Sequence, residues 1–536
     1  MSDTITGLYI LASTLWSALT ARWQAVTALF LSLWQSATMK LFAPFKTAPL
    51  MAAVIIAKAH YPALPEDLTT PVQQRLAVYG LNSVSIGWNT YTQLDESCVR
   101  FGTERDNLDH QVCTVGMSTT YPSSRTYENR VILQDLIPGT TYYYKIVSTN
   151  STVDHFLSPR TPGDRTPFSF NAVIDLGVYG EDGFTIQGDK TKKDTIPRIN
   201  PALNHTTIGR LANTVDDYEF IIHPGDFAYA DDWFLSLDNL FDGENAYQAI
   251  LENFYEQLAP IAGRKPYMAS PGNHEAACQE IPHTTGLCPD GQKNFTDFMH
   301  RFGNTMPTAF PSLSTNTTAK ILANKARLLA QPPFWYSFEY GMAHVVMINT
   351  ETDFEAAPSG QGGSAGLNGG PFGTQNQQLE FLEADLASVD RQVTPWVIVA
   401  GHRPWYTAGL ACGPCQEAFE DILYAYGVDL AIFGHVHNSQ RFLPIYNGVL
   451  DPRGMQDPKA PVYIVAGAAG NIEGLVKVGK KSGEGLVFAD DEEYAFARVS
   501  VLDEWNLGIE FVGSATGEVL DSSLLVKGHG ERFVRQ

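Results

Sequence analysis

The sequence predicts two folded units in tandem, an all-β sandwich followed by a layered α/β domain. Three observations predict it. Residues 72–162 carry period-two hydrophobic alternation broken by tight turns; from about residue 166, strand-length apolar runs alternate with amphipathic helical stretches; and five of those runs stop in polar, chemically active residues beside a glycine. A chain of 536 residues, 44% hydrophobic and 11% aromatic, can fill two or more domain cores.

Residues 1–60 read as a signal or membrane-targeting segment. The apolar runs 8–19 and 25–34 are separated by Arg22, and no basic residue precedes the first. A better secretory signal starts at Met39: Lys40 and Lys46 form its basic part, residues 50–57 its apolar part, and Ala57-Lys58-Ala59 a small-x-small cleavage site. This predicts a secreted protein whose true N-terminus is open. The alternative is a signal anchor or amphipathic helix in residues 7–35, the one part of the chain expected to touch a membrane.

Residues 61–162 form the predicted β-sandwich. Val84, Ile86 and Trp88 alternate with Ser83, Ser85 and Gly87, as in a half-buried strand. The turn Leu136-Ile137-Pro138-Gly139-Thr140 leads into Tyr142-Tyr143-Tyr144-Lys145-Ile146, which resembles the fibronectin type III sandwich with its tyrosine corner. Another small β-sandwich fits the same residues. A linker over residues 158–167 ends the unit.

Residues 163–536 form the predicted α/β domain. Strands are expected at 168–174, 218–222, 266–270, 396–400 and 430–433, with 462–466, 494–502 and 507–512 closing the domain. Tyr247, Ile250, Leu251, Phe254, Tyr255 and Leu258 mark one helix. A second is expected to start at Thr374, capped through Gln377, and a third carries Phe419, Ile422, Leu423 and Tyr426 and stops at Gly427. Residues 270–318 and the Gly-rich 358–373 read as surface loops.

With 58 acidic against 36 basic residues, a net charge of −22 and a pI near 4.9, the chain does not suit nucleic acid, which needs clustered Lys and Arg. An anionic substrate would have to be drawn in by a local positive charge such as a metal ion. Six cysteines fall as neighbouring pairs, Cys98 with Cys113, Cys278 with Cys288, and Cys412 with Cys415. Together with the glycosylation sequons at Asn150, Asn204, Asn294 and Asn316, they fit an oxidising secretory route. The Cys412-Gly413-Pro414-Cys415 spacing has a redox look, but a structural disulfide is preferred.

The five strand ends carry Asp175-Leu176-Gly177, Gly225-Asp226-Phe227-Ala228-Tyr229, Gly272-Asn273-His274-Glu275, Gly401-His402 and Gly434-His435-Val436-His437. Ligands of α/β sheets gather beyond the carboxyl ends of the strands, so these clusters can converge. Two Asp, one Tyr, one Asn and three His, without thiolate, suit iron, zinc or manganese and are too nitrogen-rich for calcium. Seven donors exceed one ion's needs and suffice for two if a carboxylate bridges, for which Asp226 is the natural choice. His223, His300 and His344 are read as packing or surface residues, and Asp231 and Asp232 as a solvated turn by default, with support of the neighbouring site residues as the alternative.

The ordered blocks DLG, GDFAY, GNHE, GH and GHVH resemble the purple acid phosphatases, a branch of the calcineurin-like metallophosphoesterases. The resemblance covers roughly residues 166–513, and the β-sandwich fits the larger eukaryotic members. It implies a metallophosphoesterase sandwich of two mixed sheets flanked by helices. It also implies that Asp175, Asp226, Tyr229 and His437 hold Fe(III), while Asp226, Asn273, His402 and His435 hold a second divalent ion, Zn, Mn or Fe. The implied reaction is hydrolysis of small phosphate monoesters by a metal-bound hydroxide. His274, next to Asn273 but assigned to neither ion, is the candidate proton donor to the leaving group, with orientation of the phosphate as the alternative. A phosphodiesterase on the same core, and a non-catalytic secreted adhesion or binding protein, are the rival readings. One departure stands out: many plant relatives have two adjacent phosphate-contacting histidines about nine residues after the GH block, where this chain has Gly409-Leu410-Ala411-Cys412. Those contacts are absent or come from elsewhere.

Overall fold

The computed structural model describes residues 59–178, 207–235, 239–276, 288–359, 372–478 and 483–529. All but the last two residues of the targeting segment, together with Asn204, Cys278 and most of the Gly-rich 358–373 stretch, lie outside the described residues.

Seven strands build the N-terminal sandwich. Val72–Gly80, Ser83–Thr90 and Tyr127–Leu133 form one sheet; His110–Val115, Glu96–Gly102, Thr141–Ile146 and Asp154–Leu157 form the other, in that order. Val84, Ile86, Trp88, Val99, Tyr144 and Phe156 fill the space between them. The Tyr142 hydroxyl accepts a hydrogen bond from the Ile137 amide at 3.0 Å, tying the strand to the turn before it. Cys98 is disulfide-bonded to Cys113 across paired strands.

Ser83–Thr90 departs from the expected half-burial: Ser85 is 0% and Asn89 4% exposed. The other face of its sheet meets the α/β domain instead of water. Arg75 Nε donates to the Arg301 carbonyl at 3.0 Å, Arg301 Nη1 donates to Gln73 Oε1 at 2.6 Å, and the Tyr121 hydroxyl reaches Asp297 Oδ1 at 2.7 Å. Tyr144 adds a bond to the Gly263 carbonyl at 2.6 Å. Polar alternation therefore marks a domain interface here, with Arg75, Arg301 and Tyr121 paired across it.

Two mixed sheets make the α/β domain. The first runs Tyr267–Ser270, Phe220–Pro224, Phe168–Ala172, Ala495–Val501, Asn506–Gly513, Val519–Val526, with its first three strands parallel. The second runs Tyr336–Tyr340, Ala343–Met347, Trp396–Ala400, Leu430–Phe433, Val462–Ala466, Ser439–Phe442, Leu486–Asp490, with the four strands from Ala343–Met347 to Val462–Ala466 parallel. Parallel strands covered on both faces require unbroken apolar runs, which is why Trp396–Ala400 and Leu430–Phe433 are wholly buried and legible. Phe220 meets Phe338 edge-on at 5.6 Å and Tyr340 at 5.0 Å, joining the sheets.

Helix Gly243–Ala262 matches its apolar stripe, and Gly413–Ala425 ends before Gly427 at φ 65°. The helix expected from Thr374 starts later, at Gln377–Ser388, with Asn376 at its N-cap. Thr374 lies ahead of it and donates its amide to Gln377 Oε1 at 2.9 Å, half of the predicted capping exchange. The expected 270–318 loop contains helix Thr296–Phe302, whose Phe298, Arg301 and Phe302 are buried; the helix fills the junction of the two domains, so it is core and not surface.

His344 is a packed residue, as expected, but a charged one. It sits 2.7 Å from Asp385 and 3.5 Å from Glu339; burial opposes its charge, yet Asp385 leads the groups that raise it to about 10. A folded-state pKa above the unfolded value near 6.5 stabilises the fold fully below that value and loses the benefit as pH rises through about 10. The urea midpoint is expected to fall between pH 6.5 and 10 in the native chain and to fall less in His344→Gln. Equal slopes would refute this.

Candidate metal centre

The crevice lies where the parallel strands of both sheets end, and the turns are bent hard to reach it. Asp175, Asp226, Tyr229 and His435 all have positive φ, from 53° to 64°, a strained state for non-glycine residues that persists only where surroundings enforce it. Glu275 supplies one enforcement: its carboxylate accepts from the amides of Asp226 at 2.8 Å, Phe227 at 2.9 Å and Gly272 at 2.9 Å, locking two turns together. Close approach supplies another, since a Cβ on Gly434 would collide with Ile174 and the Asp175 carboxylate.

All seven expected donors come together. The Tyr229 oxygen is 3.0 Å from Asp175 Oδ1, 3.3 Å from Asp226 Oδ2 and 2.9 Å from His437 Nε2. His402 Nε2 is 3.0 Å from Asp226 Oδ2 and 2.9 Å from Asn273 Oδ1. One ligand atom each from Asp226, His402 and His435 fall within 4.8 Å of one another. Asp226 thus belongs to both groups. His437 Nδ1 lies 3.2 Å from the Gly474 carbonyl and His402 Nδ1 3.2 Å from the Pro224 carbonyl, acceptors that hold each ring with Nε2 turned inward.

The donor set fits cations. The Tyr229 phenol has one proton for the three acceptor atoms around it, two carboxylate oxygens and Nε2 of a neutral His437 protonated on Nδ1. The charge balance says the same. Burial, then the neighbouring Asp226 charge, pushes the Asp175 carboxyl well above its usual value; burial and both carboxylates push the Tyr229 phenol up. Burial also works against Asp226, but His402 and His274 hold it ionised, while Asp226 in turn raises His402 to about 9 despite burial.

His274 stands beside the donors. Its Nδ1 lies 2.8 Å from Asp231 Oδ1, its Nε2 lies 3.9 Å from Asp226 Oδ2, and its ring packs on Tyr229 at 3.9 Å. Here the sequence reading is corrected: Asp231 and Asp232 are 0% and 2% exposed, not a solvated turn, because Asp231 is covered by His274 and by Gln292, whose Nε2 donates to it at 3.1 Å. Glu351 and Arg403 are site residues that sequence reasoning did not single out, and Glu275, though part of the GNHE block, was given no role there. Glu275 and Arg403 each directly follow a predicted site residue, the only local signal available.

Cys412 and Cys415 form a disulfide, and Cys288 is also disulfide-bonded. Asn150, Asn294 and Asn316 are exposed. Among the described residues, no helix is long and apolar enough to cross a membrane.

Comparisons agree along the chain. The purple acid phosphatase N-terminal domain matches residues 71–161, calcineurin-like phosphoesterase matches 202–439, and iron/zinc purple acid phosphatase-like protein C matches 460–522. Acid phosphatase A of Cryphonectria parasitica is 62% identical over 498 residues, covering 92% of this chain and 98% of its own length. Human acid phosphatase type 7 is 27% identical, covering 75% and 78%. In fold, the chain resembles a purple acid phosphatase from yellow lupin seeds, with a TM-score of 0.59 and 22% identity over 86% of this chain and 75% of that one. The chain belongs to the purple acid phosphatase family, and it is a phosphoesterase of the calcineurin-like type.

Proposed function

We propose that this phosphatase acts on small phosphate monoesters at a binuclear centre of Fe(III) with Zn, Mn or Fe, in a secreted chain divided at about residue 162. The carrying observation is the convergence of seven oxygen and nitrogen donors, without thiolate, around Asp226. In this reading Asp175, Asp226, Tyr229 and His437 hold the iron, and Asp226, Asn273, His402 and His435 hold the divalent ion. Bound together, such ions supply positive charge to a phosphate and lower the pKa of water from about 15.7 toward about 7.

The remaining residues position and move protons. Asp231 fixes His274 through Nδ1, which leaves Nε2 to face the crevice and hand its proton to the leaving alkoxide. Glu275 holds the turns that carry Asp226 and Asn273 in register. Exposed Asn150, Asn294 and Asn316, with Asn204, are the glycosylation sites assigned by this reading; a secreted product with the bare chain mass would remove them.

Metal analysis with a visible absorption scan tests the centre. Iron and a second metal in near-equal amounts, with a visible tyrosinate-to-iron band, are expected. Tyr229→Phe should lose or shift the band and hold iron more weakly. Active protein without iron or colour, or an unchanged band in Tyr229→Phe, would overturn the assignment. Faster hydrolysis of diesters than monoesters would reassign the substrate.

A further inference from the structure

We propose that Gln292 is a positioning residue for His274, set in place from the N-terminal sandwich by Tyr121; the inference rests on the reading of His274 as proton donor given above. Gln292 stands on the tight turn ahead of helix Thr296–Phe302, its backbone amide donating to the Pro289 carbonyl at 3.0 Å, and the residue is 0% exposed. Its side-chain Nε2 lies 3.1 Å from each of Asp231 Oδ2, the His274 carbonyl and the Ala276 carbonyl.

One carboxamide therefore grips His274 at two points. It holds the main chain through the carbonyl of His274 itself, and it holds the ring through Asp231, whose other oxygen, Oδ1, is 2.8 Å from Nδ1. A hydrogen bond at a single oxygen leaves a carboxylate able to turn about its last side-chain bond, a broad torsion. Donors at both oxygens fix its plane, and with it the direction in which Nε2 of the ring points. Proton transfer requires that nitrogen within about 2.6–3.2 Å of the leaving oxygen, so a ring that rocks loses rate before it loses substrate affinity.

The turn that carries Gln292 is moulded on the sandwich. The Tyr121 hydroxyl lies 2.7 Å from Asp297 Oδ1 and 2.9 Å from Gln248 Oε1, and the Asp297 amide donates to the Gly291 carbonyl at 2.7 Å. Gly291, directly before Gln292, is pressed against the same two side chains: a Cβ there would stand 2.5 Å from Gln248 Nε2 and 3.2 Å from Tyr121 Cε2. A shift of Tyr121 is thus passed to Gln292 within one residue. A glutamine that only filled space would do as well with an apolar side chain, and would not bring its donor to Asp231 and to the His274 main chain together.

The test uses the metal-loaded full chain and a double-mutant cycle between Gln292→Met and His274→Ala, with Gln292→Glu and Tyr121→Phe alongside. kcat and KM are read on an alkyl phosphate and on 4-nitrophenyl phosphate, metal content by elemental analysis, and folding by thermal melting. Gln292→Met, close in size but without a donor, is expected to lower kcat on the alkyl phosphate about 10-fold, with KM, metal content and 4-nitrophenyl phosphate turnover near wild type. Gln292→Glu, which sets a carboxylate against Asp231, should lose at least as much, and Tyr121→Phe about 3-fold in the same pattern. In the His274→Ala background Gln292→Met should cost no further rate. The cycle is also run with Tyr121→Phe, which removes one oxygen and keeps the ring, so that a poorly folding Gln292 variant does not leave the question undecided. A loss that persists undiminished in the His274→Ala background overturns the proposal, as does wild-type kcat on the alkyl phosphate in both Gln292 variants, or a loss accompanied by a fall in metal content. Wild-type kinetics in Tyr121→Phe overturn the part assigned to the sandwich. Equal losses of His274→Ala on the two substrates overturn the proton-donor reading alone, since the cycle still decides whether Gln292 acts through His274.

Discussion

Asp226→Asn is expected to deplete both metal ions and to lower kcat/KM by at least about 10³-fold, the scale set by loss of preorganised charge stabilisation. In the proposed assignment Asp226 is the donor common to both ions. One Asp226 oxygen lies 3.0 Å from His402 Nε2 and 3.3 Å from the Tyr229 oxygen, while the other accepts the His274 amide at 2.9 Å. An amide in its place keeps the shape, loses the charge and brings a donor toward atoms that already lack protons. Elemental analysis beside kinetics checks it: Asp226→Asn with two ions retained would remove Asp226 from the bridging position. The same measurement separates the two histidines of GHVH. His437→Ala should deplete iron first and His435→Ala the divalent ion first, because His437 faces Tyr229 and His435 groups with His402.

The second large effect belongs to His274. His274→Ala is expected to lower kcat roughly 10²- to 10⁴-fold for an alkyl phosphate, whose leaving alkoxide needs a proton, and far less for 4-nitrophenyl phosphate, whose leaving group does not. Metal content should stay near wild type. Asp231→Asn, acting through the 2.8 Å contact with His274 Nδ1, should show a weaker version of the same leaving-group dependence. Equal losses on both substrates would assign His274 to holding phosphate and not to proton transfer.

Much of this site is legible in the chain because its scaffold is local. A parallel strand buried on both faces must be an unbroken apolar run, so Trp396–Ala400 and Leu430–Phe433 announce themselves, and the glycine after each marks where the backbone turns toward the crevice. The donors sit immediately beyond, within the same few residues. Strand Ser83–Thr90 shows where that logic fails, since Ser85 and Asn89 alternate like solvent-facing residues yet are buried by a neighbouring domain.

By itself, then, the sequence determined the two-unit architecture and the strand ends on which the seven candidate donors and His274 sit, because period and strand ends are set by near neighbours. Tertiary structure alone decided that Asp231 is a buried partner of His274, 43 positions away, and that Glu351 holds Arg403, 52 positions away. A charged residue looks the same in sequence whether water or protein solvates it. Its meaning depends on which distant group folding brings within about 3 Å, the range over which a buried charge becomes a hydrogen-bonded one.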